Sequence, residues 1–191
     1  MPKPFRYRVQ QSFSPALPRR SIVWFPDFAD AALLTRIDRF RRAHDPLHLK
    51  VAPHVALVFP FNANLSVAQV ASHIKRTIAG WPHIPVTFHG TSSVANKFVL
   101  LMCELRSDAL TELHNQLYRG VLKQFLRDDI SYSPHITLGA AESSTATDAI
   151  LAEAELVFRD TTEATLRALS ILTQHENGRI TVDETVTIDL T

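Results

Sequence analysis

Apolar and polar positions change their period repeatedly along the chain, and each change marks an element. Residues 21–25 (Ser-Ile-Val-Trp-Phe) read as a strand stopped by Pro26. Leu33, Leu34, Ile37 and Phe40 then recur at helical spacing behind Asp27, a residue type that caps helices. Residues 54–59 form the next strand. Ser66 and Gln69 make a capping-box pattern ahead of Val67, Val70, Ala71, Ile74 and Ile78 on one helical face, with Gly80 as the stop. Residues 86–90 and 98–105 read as strands joined by a turn over 92–97. Residue 98–105 is apolar on both faces, as a central strand would be. Asp108 opens a helix carrying Leu110, Leu113, Leu117, Val121 and Phe125, and residues 133–138 are a further strand. A short helix over 145–153 and a short strand over 155–158 follow. The alternating stretches 166–174 and 179–188 flank Asn177-Gly178, a pair suited to a type I′ hairpin turn.

The order is strand-helix-strand-helix-strand-strand, then helix-strand-helix-strand-strand, then a last strand. The second half repeats the first, with one strand able to serve both. This predicts an α+β, duplicated two-lobe fold with two antiparallel sheets facing a central cleft and helices on the outside. The lobes span roughly 21–105 and 106–191 and can exchange strands; residues 1–20 form a basic N-terminal arm.

The 191 residues hold 20 Lys+Arg against 19 Asp+Glu, yet residues 1–50 alone hold ten of the basic residues and four of the acidic ones. Such a positive field suits a phosphate-bearing ligand. The one cysteine, Cys103, precludes an intramolecular disulfide and a cysteine zinc site, which points to a reducing cytoplasmic setting. No apolar run approaches the roughly 18 residues of a membrane span, and residues 1–20 lack the apolar core of a secretory signal. A monomer without a membrane partner is expected. The sequence carries no Gly-rich phosphate loop and no Gly-x-Ser-x-Gly elbow. His44-Asp45-Pro46-Leu47-His48 resembles a metal cluster, but Pro46 breaks the helix that would align its histidines. Neither a metal nor a cofactor is expected.

The most informative feature is a repeated histidine motif. Pro53-His54-Val55-Ala56-Leu57 and Pro134-His135-Ile136-Thr137-Leu138 occupy the same place in the two halves. Strand alternation turns Val55 and Leu57, and likewise Ile136 and Leu138, to one face. His54 and Ala56, and His135 and Thr137, then take the other. If the halves are related by a pseudo-twofold axis, the histidine faces meet across the cleft. Two facing imidazoles can exchange protons with a substrate near neutral pH.

In these motifs the chain resembles the two-histidine phosphoesterase superfamily, also called 2′-5′ RNA ligase-like, which includes RNA 2′,3′-cyclic phosphodiesterases. Its signature is a pair of His-x-Thr/Ser motifs. Pro134 to Leu138 matches in full, and the stretch from His54 through Phe59-Pro60-Phe61 is similar to the first motif and its tail. The resemblance spans residues 21–190. It implies a metal-independent phosphoesterase acting on 2′,3′-cyclic phosphate or 2′-5′ phosphodiester bonds, with His54 and His135 as the acid–base pair. The partner would be an RNA carrying a 2′,3′-cyclic phosphate end or a small cyclic nucleotide. By position Thr137 would hold the non-bridging phosphate oxygens. Ala56 stands where the pattern has Thr or Ser and offers no donor. The substitution leaves a non-catalytic RNA-end or nucleotide-binding module as the alternative reading, and an interaction scaffold as a third. Tyr132 is a candidate for stacking on a base at the cleft rim, while Lys97 is a candidate phosphate contact.

Overall fold

Local signals in the sequence account for most of the element ends. The computed structural model describes residues 17–104 and 108–189. In chain order it has β1 (Arg19–Trp24), α1 (Ala31–His44), β2 (Val55–Asn62), α2 (Val67–Ile78), β3 (Ile84–Val94) and β4 (Phe98–Glu104). Then come α3 (Ala109–Leu117), a 3-10 helix (Gly120–Phe125), β5 (His135–Ala140), α4 (Ser144–Val157), β6 (Thr162–Leu166), β7 (Ala168–Gln174) and β8 (Ile180–Thr187). Ser66 and Gln69 form both bonds of the capping box at the start of α2. α1 is capped by Asp30 rather than Asp27: the Asp30 carboxylate accepts from the Ala32 N–H.

Four local expectations are corrected. β1 begins at Arg19, so Arg19 and Arg20 belong to a strand and not to an arm; residues 1–16 lie outside the described residues. α3 ends at Leu117, and Gly120 with φ 58° redirects the chain into the 3-10 helix, leaving Val121 exposed. Residues 155–157 continue α4, and the strand expected there lies at Thr162–Leu166. In the β7–β8 connection only Gly178 has positive φ. The Gly178 N–H donates to the His175 carbonyl and the Asn177 side chain accepts from the Arg179 N–H, so the loop is longer than a two-residue type I′ turn.

The expected two sheets are one. Eight strands run antiparallel in the order β6-β3-β4-β5-β2-β1-β7-β8. Bulges in four of the strand pairings bend them into a curled half-barrel. β3 and β4 sit beside β5 and β6, whereas β7 and β8 sit beside β1 and β2, so sequence halves and sheet halves differ. α1 and α4 pack on the β3–β5 side, and α2 and α3 on the side of β2, β7 and β8. Val55, Leu57, Ile136 and Leu138 are fully buried in the core these helices close. Each contributes about 1.5–3 kcal/mol by leaving water.

The sheet halves meet at a single pair of residues, Val55 opposite Ile136. Beyond it β2 and β5 diverge, and side chains take over the backbone groups of β2. The Tyr132 hydroxyl donates to the Ala56 carbonyl at 3.1 Å and His114 Nδ1 to the Leu57 carbonyl at 2.8 Å. The Phe59 N–H donates to the Tyr118 hydroxyl oxygen at 2.8 Å. A strand edge satisfied in this way needs no neighbouring strand, which is why one sheet can open at its middle. On the other side the end of α1 closes on β5 at Gly139, where a Cβ would lie 2.8 Å from His44 Cβ and 3.2 Å from the His44 carbonyl oxygen. Gly139→Ala is therefore expected to destabilise the fold by about 1–3 kcal/mol through overpacking. Urea unfolding checks this; an unchanged midpoint would mean that α1 can move away from β5.

Candidate active site

The one-residue joint between the sheet halves lies at the histidine motifs. Val55 and Ile136 point into the core, so the flanking residues His54, Ala56, His135 and Thr137 share the opposite face. Extending the antiparallel register by one residue either way sets His54 across from Thr137 and Ala56 across from His135. Each histidine is thus adjacent to the third position of the other motif. The four backbone positions form a square about the Val55–Ile136 pair.

Both rings are held in the same way. His54 Nδ1 bonds the Ala52 carbonyl at 2.9 Å, and His135 Nδ1 bonds the Ser133 carbonyl at 2.6 Å. A carbonyl only accepts, so in each neutral ring the proton sits on Nδ1 and Nε2 carries the lone pair. The partner is the carbonyl two residues upstream in each case, so one local geometry has been made twice. Both rings are half-buried. Burial is the largest influence on each and pushes both imidazoles below the ordinary histidine value of 6.5, against the opposing effect of the backbone bond. His54 is also influenced by Arg41, Asp45 and His135.

The paired strands complete the surroundings. Met102 pairs with His135, Leu100 with Thr137 and Val23 with Ala56. Phe25 presents its ring edge-on to His54, with 6.1 Å between centroids. These apolar neighbours were not legible as site residues, because strand register, which no local motif encodes, is what brings them there. Thr137 is half-buried on the face opposite Ile136.

Tyr132 and Lys97 are placed elsewhere than expected. The Tyr132 ring stacks on His114 at 3.7 Å between centroids, with an interplanar angle of 16°, and its hydroxyl is bonded to Ala56. Burial raises its phenol pKa well above the usual range. It is a strut under the first motif, with one ring face already covered. Lys97 lies at the β3–β4 turn, five residues from the Met102 that pairs with His135, or roughly 16 Å along an extended strand. Its ammonium meets the Glu142 carboxylate at 3.1 Å. Arg127, shortly after the 3-10 helix, meets Asp129 at 2.7 Å. Among the described residues no helix is long and apolar enough to cross a membrane, and no cluster of three His, Cys, Asp or Glu side chains is placed to hold a metal ion.

Comparison with known proteins places the chain in a family and agrees with the fold. A family model for the 2′-5′ RNA ligase superfamily matches residues 28–178. A Geobacillus thermodenitrificans protein named "Putative phosphoesterase" is 27% identical over 179 residues, covering 87% of this chain and 94% of that protein. A Geobacillus kaustophilus protein of the same description is 29% identical over 177 residues, covering 86% and 92%. Among solved structures, E. coli LigT complexed with 3′-AMP superimposes with a TM-score of 0.60 at 17% identity, covering 91% of this chain and 99% of that one. The same protein complexed with ATP gives 0.59 at 18% identity, with the same coverage. At these identities the structural likeness shows the fold.

Proposed function

Because the chain belongs to the 2′-5′ RNA ligase superfamily, we propose that it is a phosphoesterase that hydrolyses 2′,3′-cyclic phosphate bonds, at RNA ends or in small nucleotides, by acid–base catalysis between His54 and His135. The observation that carries this reading is the repeated tautomer lock: two imidazoles on one face, each with Nδ1 fixed to a carbonyl and Nε2 left to exchange a proton. The phosphoesterase names of the Geobacillus relatives and the nucleotide complexes of LigT support the substrate class.

In this mechanism one Nε2 takes a proton from water as the water oxygen bonds to phosphorus. The bond from phosphorus to one ribose oxygen breaks, and the other ring, entering as imidazolium, gives its Nε2 proton to that leaving oxygen. The product is a ribose phosphomonoester with a free neighbouring hydroxyl. The rings end with their protonation exchanged and reset through solvent. The Thr137 hydroxyl donates to a non-bridging oxygen, where negative charge builds in the transition state. The methyl of Ala56 leaves His135's side of the square without a matching hydroxyl. Both proton transfers are supplied by side chains, so the chemistry asks for no metal.

The test is hydrolysis of nucleoside 2′,3′-cyclic phosphates and cyclic-phosphate-ended oligoribonucleotides in EDTA, followed by phosphorus NMR. Conversion of the cyclic diester to a monoester is expected. A panel that stays cyclic throughout would sink the reading.

A further inference from the structure

The histidine face of the sheet is filled on one side of the site by the chain itself. Val23 pairs with Ala56 and so shares that face, yet it is fully buried. Val51 covers it: Val23, Val51 and Leu172 form a cluster of their own, apart from the main core, with Phe25 and Ile180 packed against it. The segment leading into His54 thus lies over β1 and β7. Buried bonds hold it there, since Arg41 Nη2 donates to the Val51 carbonyl at 2.9 Å and Asp45 accepts from both Arg41 and the Leu47 N–H. A substrate seated at the histidines has its room on the other side, over β4 and β3.

On that side β4 presents an apolar strip. Val99, Leu101 and Cys103 belong to the core, so Phe98, Leu100 and Met102 share the face of the histidines. Met102 stands opposite His135 and Leu100 opposite Thr137; on β3, Ser92 and Val94 stand opposite Leu100 and Phe98. Met102 and Phe98 are half-buried, and Val94 is 44% exposed. Ile136, at the centre of the site, is level with Leu101. Phe98 is three residues further on, roughly 10 Å along the strand, or about the span of one nucleoside.

None of these strip residues is charged. At one end Glu104 is the next residue on the face beyond Met102, and at the other the Lys97 ammonium is paired with Glu142. Arginines that give residues 1–50 their positive charge are engaged elsewhere. Arg20 donates to the Leu65 carbonyl, Arg36 meets Asp30 and Arg42 meets Asp38. Arg19, four residues along β1 from Val23, donates to Gln174. A groove that follows a nucleic-acid strand needs cations along it, because phosphate contacts supply most of the affinity. Among the described residues, what leads away from the histidines is one aromatic ring and a row of apolar side chains.

We propose that the substrate is a single nucleoside 2′,3′-cyclic phosphate, with its phosphate at the histidines and Thr137 and its base on the β4 strip, where Phe98 is the ring it meets. This deepens the cyclic-phosphate reading above and rests on it. Further nucleotides would meet Val51 on one side and uncharged or acidic residues on the other.

The test measures kcat/KM for adenosine 2′,3′-cyclic phosphate, for glycerol 1,2-cyclic phosphate, which has no base, and for a cyclic-phosphate-ended hexaribonucleotide, each between about 50 and 200 mM salt. The nucleoside is expected to exceed the glycerol ester by about tenfold or more. Phe98→Ala should lower that ratio by about tenfold, the worth of one base–ring contact, and Phe98→Tyr should restore it. The hexaribonucleotide should match the nucleoside within about threefold, with the same weak dependence on salt. A hexaribonucleotide favoured by more than about tenfold, with a salt slope steeper by about 0.7 per added phosphate contact, would overturn the single-nucleotide assignment. A ratio that Phe98→Ala leaves unchanged would overturn the base subsite. If no diester in the panel is cleaved, the reaction reading fails by itself, and binding of adenosine 3′-monophosphate, read from the Met102 methyl resonance, decides the strip. A shift that ribose 5-phosphate does not give supports it, and an unmoved resonance rules it out.

Discussion

His54→Ala and His135→Ala are each expected to lower kcat/KM for a 2′,3′-cyclic phosphate by about 10²–10⁴, the usual worth of a positioned general acid or base. In the proposed mechanism the two rings act in one concerted step, so the double variant should be little worse than the poorer single one. Neither substitution should unfold the protein, because both rings are half-buried on the face opposite the core. Burial holds both imidazoles below 6.5 in the free enzyme, and the signs of the two limbs follow. The acceptor must be unprotonated, so activity falls as pH drops through its value; the donor must be protonated, so activity falls as pH rises through its own. A bell with its kcat/KM optimum on the acid side of neutrality is the expected profile. In the kcat profile the alkaline limb should move up, since a bound phosphodiester anion favours imidazolium. An alanine variant of either ring that keeps near-native kcat/KM would remove that histidine from the mechanism.

Thr137→Ala is expected to lower kcat by about 10²–10³, the cost typical of losing one donor to a developing oxyanion. The size of this loss depends on Ala56. Where both third positions carry hydroxyls, each can partly cover for the other, but here Thr137 is the one hydroxyl of the square. Thr137→Ser keeps the donor and should retain most of the rate, which separates the hydroxyl from the packing of the methyl. The effect should fall mainly on kcat, with KM less changed, if the bond strengthens as charge builds. A Thr137→Ala enzyme with native kcat would show that some other donor meets the phosphate.

How much of the site could be read in advance varied with how local its signal was. The capping box of α2, the run of apolar residues in β4 and the two Pro-His motifs are patterns within a few residues, and the structure has each element where they put it. Tyr132 looked suited to a base at the rim because it precedes the second motif by two residues. Its true partners, His114 and Ala56, come from α3 and β2, which no spacing in the sequence connects. Lys97 shows the same limit: it lies at the far end of β4 from the histidines, where its ammonium meets Glu142, and no spacing in the sequence gives that placement. Arg41 is one of four arginines in α1, and only burial reveals that it faces inward onto Asp45 and Val51.

The sequence by itself determined most of the elements and the division of each motif strand into an apolar face and a histidine face. These follow from the two-residue period of a strand and the turn chemistry of its ends, which act over short stretches of chain. Tertiary structure alone decided that there is one sheet, opened at the Val55–Ile136 pair because His114, Tyr118 and Tyr132 satisfy the backbone of β2 in place of a neighbouring strand. It also decided which residues stand beside each imidazole, since a pairing register depends on contacts between segments far apart in the chain.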